Sequence, residues 1–224
     1  MKAKLARSLC KWLWRGKTLT RSMLNCRLET EPPLTGIVLD LGGGGEPSYK
    51  SVLAIHGHFV NMDCIKEARP TVVGNLEFTY PFATECVDAT ILFNTLEHVY
   101  GYQHVVDEMY RVLKPGGKAL VYVPFIFPVH THQTDTYLVD DYFRYSRSSL
   151  TRMFVHAGFS KIEIEPMGGV FLVVAEFLGF VLPHVLFRLP VYAGFMFLEI
   201  LYTLIRSGIS AQRYPLAYFV VARK

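Results

Sequence analysis

Two groups of residues in this 224-residue chain have types and spacing that could do chemistry. The first is the glycine cluster Gly42, Gly43, Gly44 and Gly45, which follows the apolar run 36–41; Asp63 lies 21 residues beyond Gly42, at the end of a second apolar run, 58–63. Bare backbone lets the chain turn sharply and approach a ligand closely, with a helix N-terminus expected behind the bend. A carboxylate about twenty residues on can accept hydrogen bonds from two ribose hydroxyls. The second group lies in the polar and aromatic stretch 124–145, which holds His130, His132, Asp135, Asp140 and Asp141. A neutral imidazole near pH 7 suits removal of a hydroxyl proton. His130 is the candidate general base, His132 the alternate, and Asp135 or Asp141 the group that would orient the ring. Asp141, Tyr142, Arg144 and Tyr145 also have a structural use, capping the next helix and locking the loop through an Arg–carboxylate fork.

These residues need a scaffold, and the pattern around them supplies one. Short apolar runs at 36–41, 58–63, 71–76, 87–93 and 118–123 read as buried strands. Between the last two, Val105, Val106, Met109, Val112 and Leu113 share one face of a helix over 103–113, closed by Lys114-Pro115-Gly116-Gly117. A helix over 148–157 and strands near 161–165 and 216–222 follow. Strand and helix alternate, which argues a doubly wound α/β sheet. The stretch 169–206 is largely apolar but interrupted by Glu176, Pro183, His184, Arg188, Pro190 and Glu199, so no clean span of about twenty apolar residues is expected there. Two helices lying in a bilayer surface, a shallow hairpin, a lid or a dimer face all fit it.

Composition bounds the rest. A hydrophobic fraction of 51% with mean hydropathy +0.25 excludes a disordered chain and leaves apolar surface to be accounted for. Four cysteines without metal-ligand spacing point to a reducing, cytoplasmic setting, and no metal site is expected. The net charge of +4 is uneven: residues 1–28 hold eight basic side chains and no acidic one, leaving fifteen basic against nineteen acidic in the remainder. Residues 1–33 therefore read as a basic amphipathic arm, with Leu5, Leu9 and Trp12 on one face, ahead of a domain at 34–224. No further basic or stacking cluster supports a nucleic-acid partner.

The motifs resemble those of the class I S-adenosylmethionine-dependent methyltransferases. The likeness runs through Val38-Leu39-Asp40-Leu41 and its glycines, Asn61-Met62-Asp63, Gly74-Asn75-Leu76, the run from Phe93 through Leu96-Glu97-His98 to Val99, and the run from Arg111 to Gly117. A dehydrogenase reading of the glycines explains neither of the last two. The resemblance implies a Rossmann-like, seven-stranded, mostly parallel sheet with helices on both faces and an antiparallel last strand, here 216–222. It implies that Asp40 and the backbone of Gly42, Gly43 and Gly44 hold the methionine moiety of S-adenosylmethionine. Asp63 would hold the ribose, Asn75 and the Leu76 amide the adenine edge, and Asn94 would lie beside the methionine amine. Glu46 stands where the loop usually has a third glycine, and Asn75 where an acid is usual. Glu97 and His98 are expected to pack rather than react. The stretch after the fifth strand resembles a subgroup pattern of Pro-Phe, a His six residues after that Pro, and Asp-Tyr-x-Arg-Tyr, met here by Pro124, Phe125, His130, Asp141, Tyr142, Arg144 and Tyr145, with extra residues around 136–139. The expected function is O-methylation of a hydrophobic, lipid-linked or glycan acceptor. C- or N-methylation of a small molecule, and a non-catalytic cofactor-binding or membrane-associated interaction protein, are the alternatives. An anionic membrane surface, with the protein peripheral on its cytoplasmic face, and a second copy of the chain are the expected partners.

Overall fold

The computed structural model describes residues 2–133, 138–206 and 209–224, with side chains for all of these except 2–6, 132, 133 and 138. Its helices are α1 (Lys2–Trp14), α2 (Leu19–Leu28), α3 (Tyr102–Val112), α4 (Arg147–Ala157), α5 (Val170–Val181), α6 (Val185–Ile205) and α7 (Ser210–Arg213). Its strands are β1 (Leu34–Leu41), β2 (Ile55–Asp63), β3 (Val72–Val73), β4 (Val87–Phe93), β5 (Leu113–Pro124), β6 (His132–Gln133), β7 (Leu138–Val139), β8 (Lys161–Gly168) and β9 (Pro215–Arg223). The chain divides into two compact units, residues 32–165 with 218–224 and residues 1–31 with 166–217. Residues 1–33, expected as an arm, and 169–206, expected as an insertion in a domain, lie nearly all in the second unit.

The first unit is organised by a seven-stranded sheet in the order β3-β2-β1-β4-β5-β9-β8. The β3-β2, β2-β1, β1-β4 and β4-β5 pairs are parallel. Strand β9 runs against its neighbours: its last residues meet the first residues of β5 and β8, through Gly116 and Lys224, and through Ser160 and Arg223. The expected mostly parallel sheet with an antiparallel final strand is therefore present. A central parallel strand is covered on both faces, and residues 89–93 of β4 and 117–124 of β5 are accordingly buried on both sides rather than alternately. Val105, Val106, Met109 and Val112 of α3 pack with Leu150, Met153 and Phe154 of α4 over Leu39, Leu92, Val121 and Val220. Ser146 caps α4, accepting from the Ser149 amide at 3.2 Å, and Gly158 ends it in the left-handed region.

The expected helix behind the glycine bend is not there. Residues 46–53 form successive turns, with Lys50 bonding the Pro47 carbonyl and Leu53 the Tyr49 carbonyl. Four glycines and Pro47 take five of the thirteen residues that connect β1 to β2, so too few good helix formers remain to nucleate a helix.

The second unit is helical. Leu13, Leu19, Ala175, Tyr192 and Leu216 form its buried cluster. Glu176, fully buried on the apolar α5, accepts hydrogen bonds from the amides of Leu19 and Thr20 at 2.9 and 3.1 Å and from the Thr20 hydroxyl, so it caps α2 from another element. Burial pushes the Glu176 carboxyl up, and those donors oppose the shift. Glu199 of α6 does the same for α5, accepting from the Phe171 amide at 2.9 Å. Pro190 does not break α6, which continues for 21 residues and is long and apolar enough to cross a membrane by length and composition. This corrects the expectation of interrupted pieces: Pro190, the sixth residue of α6, forfeits only the one bond its amide would give the Leu186 carbonyl, and the helix runs on past it.

Candidate cofactor and acceptor site

Strand order reverses between β1 and β4, whose connections leave in opposite directions, and ligands of open α/β sheets bind in the crevice at such a point. Here the crevice measures about 350 Å³ and is lined by Gly42, Asp63, Asn75, Leu76, Asn94, Thr95, His98, Asp140 and Tyr142, among others. Its floor is made by two abutting bends. Gly42 has φ +75°, and a Cβ there would lie 2.2 Å from the Thr95 methyl. Asn94, with φ +51°, turns the chain out of β4 in a conformation that non-glycine residues adopt at a cost and that clusters at functional sites.

Asp63 faces the bend. Its Oδ2 accepts from the Gly44 amide at 2.9 Å and its Oδ1 from the Ile65 amide at 2.8 Å, which fixes the carboxylate at the crevice wall with one lone pair on each oxygen left over. Asn61, two residues earlier and 2% exposed, donates from Nδ2 to the carbonyls of Gly44 and Gly45 and accepts at Oδ1 from Thr71. It ties both limbs of the glycine loop to the β2–β3 connection. Sequence reasoning gave Asn61 no role, because its partners are backbone atoms that only the folded loop brings within reach.

Asp40 lies beneath the bend rather than on the crevice wall. It is fully buried, its Oδ1 accepts from the Tyr49 hydroxyl at 2.5 Å, and its Oδ2 has no partner. Burial pushes its carboxyl up to about 7, with Tyr49 pulling the other way. Gly43 sits directly over it: a Cβ there would be 2.0 Å from Asp40 Oδ2 and 2.4 Å from the Tyr49 hydroxyl. Gly43→Ala is therefore expected to lower the Tm by about 5 °C, an overpacking effect, and to weaken cofactor binding. An unchanged melting curve would show that the bend has slack.

Of the eight residues the resemblance assigns to cofactor contact, Gly42, Asp63, Asn75, Leu76 and Asn94 line the crevice, while Asp40, Gly43 and Gly44 support it from behind. The side-chain carbonyl of Asn75 accepts from the Glu77 amide at 2.9 Å. Glu46 does not obstruct the crevice: its side chain is 85% exposed and pairs with Lys50 at 3.6 Å.

At the other end of the crevice a proton-handling cluster has formed. Glu97, with no exposed surface and neither oxygen hydrogen-bonded, faces His130 Nε2 at 3.7 Å and His98 Nε2 at 3.9 Å. The two imidazoles meet edge to face at 4.8 Å. His98 Nδ1 lies 2.7 Å from the Asp140 carbonyl, and His130 Nδ1 lies 3.3 Å from the Pro128 carbonyl and 3.2 Å from Asp141. Each ring thus turns Nδ1 to an oxygen and Nε2 to the buried carboxylate. Such an arrangement calls for a positive charge, whether a proton or a cation, among three groups whose ligand atoms lie within 4.8 Å of one another. Glu97 draws the His130 imidazole above the usual histidine range; partial burial works against this and Asp141 adds to it. Asp141 is held by Arg144 through both guanidinium nitrogens and by the His130 amide at 2.8 Å, so the expected structural fork exists and doubles as the support of His130. Burial raises the Asp141 carboxyl, but Arg144 and His130 outweigh it and leave it below the usual range. Asp135 lies outside the described residues, as does the side chain of His132.

A sheet with this strand order, a glycine bend at its switch point and a strand-end carboxylate facing that bend define a nucleotide-type cofactor-binding α/β domain. Residues 39–121 match the methyltransferase domain family. A stretch of 102 residues is 30% identical to a ubiquinone/menaquinone biosynthesis C-methyltransferase of Sinorhizobium fredii, covering 38% of this chain and only 40% of that relative's length. Among solved structures, a Haloferax volcanii methyltransferase bound to its Trm112 activator superposes with TM-score 0.59 at 18% identity, over 90% of this chain and 88% of that one. Haemonchus contortus phosphoethanolamine N-methyltransferase 2 in complex with S-adenosyl-L-methionine superposes with TM-score 0.53 at 19% identity, over 92% of this chain and 52% of that one. Residues 39–121 thus have the pattern of a methyltransferase domain, and the fold is the one these S-adenosylmethionine-dependent enzymes share.

Proposed function

We propose that the protein transfers a methyl group from S-adenosylmethionine to a hydroxyl-bearing, hydrophobic acceptor. The observation that carries this reading is the placement of a proton-handling cluster, through His98, on the wall of the crevice that Asp63 and the glycine bend delimit. The residues fit the cofactor: Asp63 has two free lone pairs for the ribose hydroxyls, Asn75 and the Leu76 amide face the place for a purine edge, and Asn94 the place for an amino acid head. Bound there, S-adenosylmethionine supplies an electrophilic methyl on a sulfonium. The work left to the protein is alignment and, for a neutral hydroxyl, removal of a proton. In this reading the proton passes to the cluster that His98 brings to the crevice wall, His130 holds it as the imidazole most favoured to be charged, Glu97 stabilises the resulting imidazolium, and Asp141 with the Pro128 carbonyl fixes the ring.

Two outcomes share this proton step. Ionising an alcohol leads to an O-methyl product, whereas ionising a ring hydroxyl also activates the neighbouring ring carbon. The name of the Sinorhizobium relative, a C-methyltransferase, favours the second reading for an aromatic acceptor. Incubation with S-adenosylmethionine bearing a ¹³C methyl group and a panel of lipid-soluble alcohols and phenols, followed by NMR of the products, separates them. Label on oxygen is the expected result, label on ring carbon establishes the second reading, and transfer only to amines contradicts both.

A further inference from the structure

We propose that the helical unit is a monotopic membrane anchor, in which α5 and α6 lie in the headgroup region of an anionic bilayer with α1 and α2 supplying the charge. This inference concerns residues 1–31 and 166–217 and does not depend on the methyl-transfer reading. Only 11% of the apolar window of α6 is buried, so α6 is not the core helix of a water-soluble fold. Its exposed side is a stripe at helical spacing, with Phe197, Leu201 and Leu204 between 41% and 69% exposed, and α5 adds Phe177 and Val181. Its opposite side is occupied by protein: Tyr192 packs against Gly179 of α5, and Glu199 sits under the α5 N-terminus. A helix with one side sealed by polar contacts and the other bare and uncharged is built to lie in an interface rather than to cross it.

The charges decide which interface. Every acidic side chain on α5 and α6 is turned inward onto helix N-termini, as Glu176 and Glu199 show, so none repels a lipid headgroup. The unit holds eleven basic residues against four acidic, whereas the sheet unit holds twelve against fifteen. Arg7, Arg15 and Lys17 are exposed, as is Lys11, which pairs with Glu29 at 2.9 Å, and Trp14 among them is 70% exposed, an aromatic of the type that anchors at membrane interfaces. A second copy of the chain would bring the same surplus of positive charge to the apolar stripe; an anionic bilayer complements both features at once.

The test is flotation of the full chain with vesicles of phosphatidylcholine alone and of phosphatidylcholine with phosphatidylglycerol. The full chain is expected to float with the phosphatidylglycerol vesicles, to do so less at high salt, and to shift its tryptophan emission to the blue as Trp14 leaves water. Substituting Phe197→Glu, Leu201→Glu and Leu204→Glu together should lower partitioning about tenfold or more. Substituting Arg7→Glu, Arg15→Glu and Lys17→Glu should abolish the preference for phosphatidylglycerol while leaving the apolar stripe intact. Binding of S-adenosylhomocysteine, measured separately, reports whether each variant is folded and whether the cofactor reading stands. Equal flotation of wild type and stripe variant overturns the anchor, as does a chain that stays with the soluble fraction as a dimer. Should the stripe variant not fold, equal binding of the charge variant to both vesicle types at low salt, matched by the wild type, overturns it as well.

Discussion

Replacing Asp63 by Ala is expected to lower the affinity for S-adenosylhomocysteine by at least about 100-fold. Hydrogen bonds to a charged acceptor contribute roughly 1.5–3 kcal/mol each, and two ribose hydroxyls would lose theirs. The loss is compounded because the amides of Gly44 and Ile65, now satisfied at 2.9 and 2.8 Å, lose their acceptor and the bend is free to drift. Asp63→Asn separates these effects: it retains one carbonyl oxygen but turns an NH₂ toward either an amide or a ribose hydroxyl, and an intermediate affinity is expected. Calorimetry on the three proteins reads the series. Affinities within twofold of one another would remove Asp63 from the binding site.

Replacing His130 by Ala is expected to lower the rate with a hydroxyl acceptor by about 10²-fold and to leave cofactor affinity unchanged. The pH dependence follows from the direction of the shift. Glu97 and Asp141 hold the imidazole pKa above the ordinary 6.5, so the basic form accumulates only as pH rises through that higher value. The rate should therefore climb with pH, with an acid-limb midpoint above 6.5. Glu97→Gln removes the largest cause of the shift, and the limb should move to lower pH. The same linkage acts on stability with a definite sign. A group whose pKa is raised on folding stabilises the native state fully below its unfolded pKa, and the contribution fades as pH rises through the folded value. A chemical-denaturation midpoint that ignores pH between 6 and 8 equally in wild type and in Glu97→Gln would contradict the coupling.

The parts of the fold set by local pattern were legible in the sequence. The strands at 87–93 and 118–123 are mostly apolar, as a covered parallel sheet demands, and α3 announces itself by Val105, Val106, Met109 and Val112. Asp63 was legible by its distance from Gly42 and by its strand end. The missing helix after the bend was not, because the loop after Gly45 looks like the usual one until the shortness of its connection to β2 is weighed with Pro47. Nor was the role of Glu97: its neighbour His98 is adjacent in the chain, but His130 reaches it only through the return of the 124–145 loop, held down by Tyr142 on the Glu97 carbonyl and by Tyr145 on the Leu96 carbonyl. The pairing of Glu176 with the start of α2 spans more than 150 residues, and no periodicity reports it.

The central claim is that the crevice between the ends of β1 and β4 receives the cofactor with its ribose on Asp63. An experimental structure of the complex with S-adenosylhomocysteine is the direct measurement. The account predicts both ribose hydroxyls within hydrogen-bond reach of the Asp63 carboxylate and the sulfur on the side of the crevice walled by His98. A ribose bound elsewhere, or an Asp63 side chain swung out to solvent when the ligand is present, would contradict it.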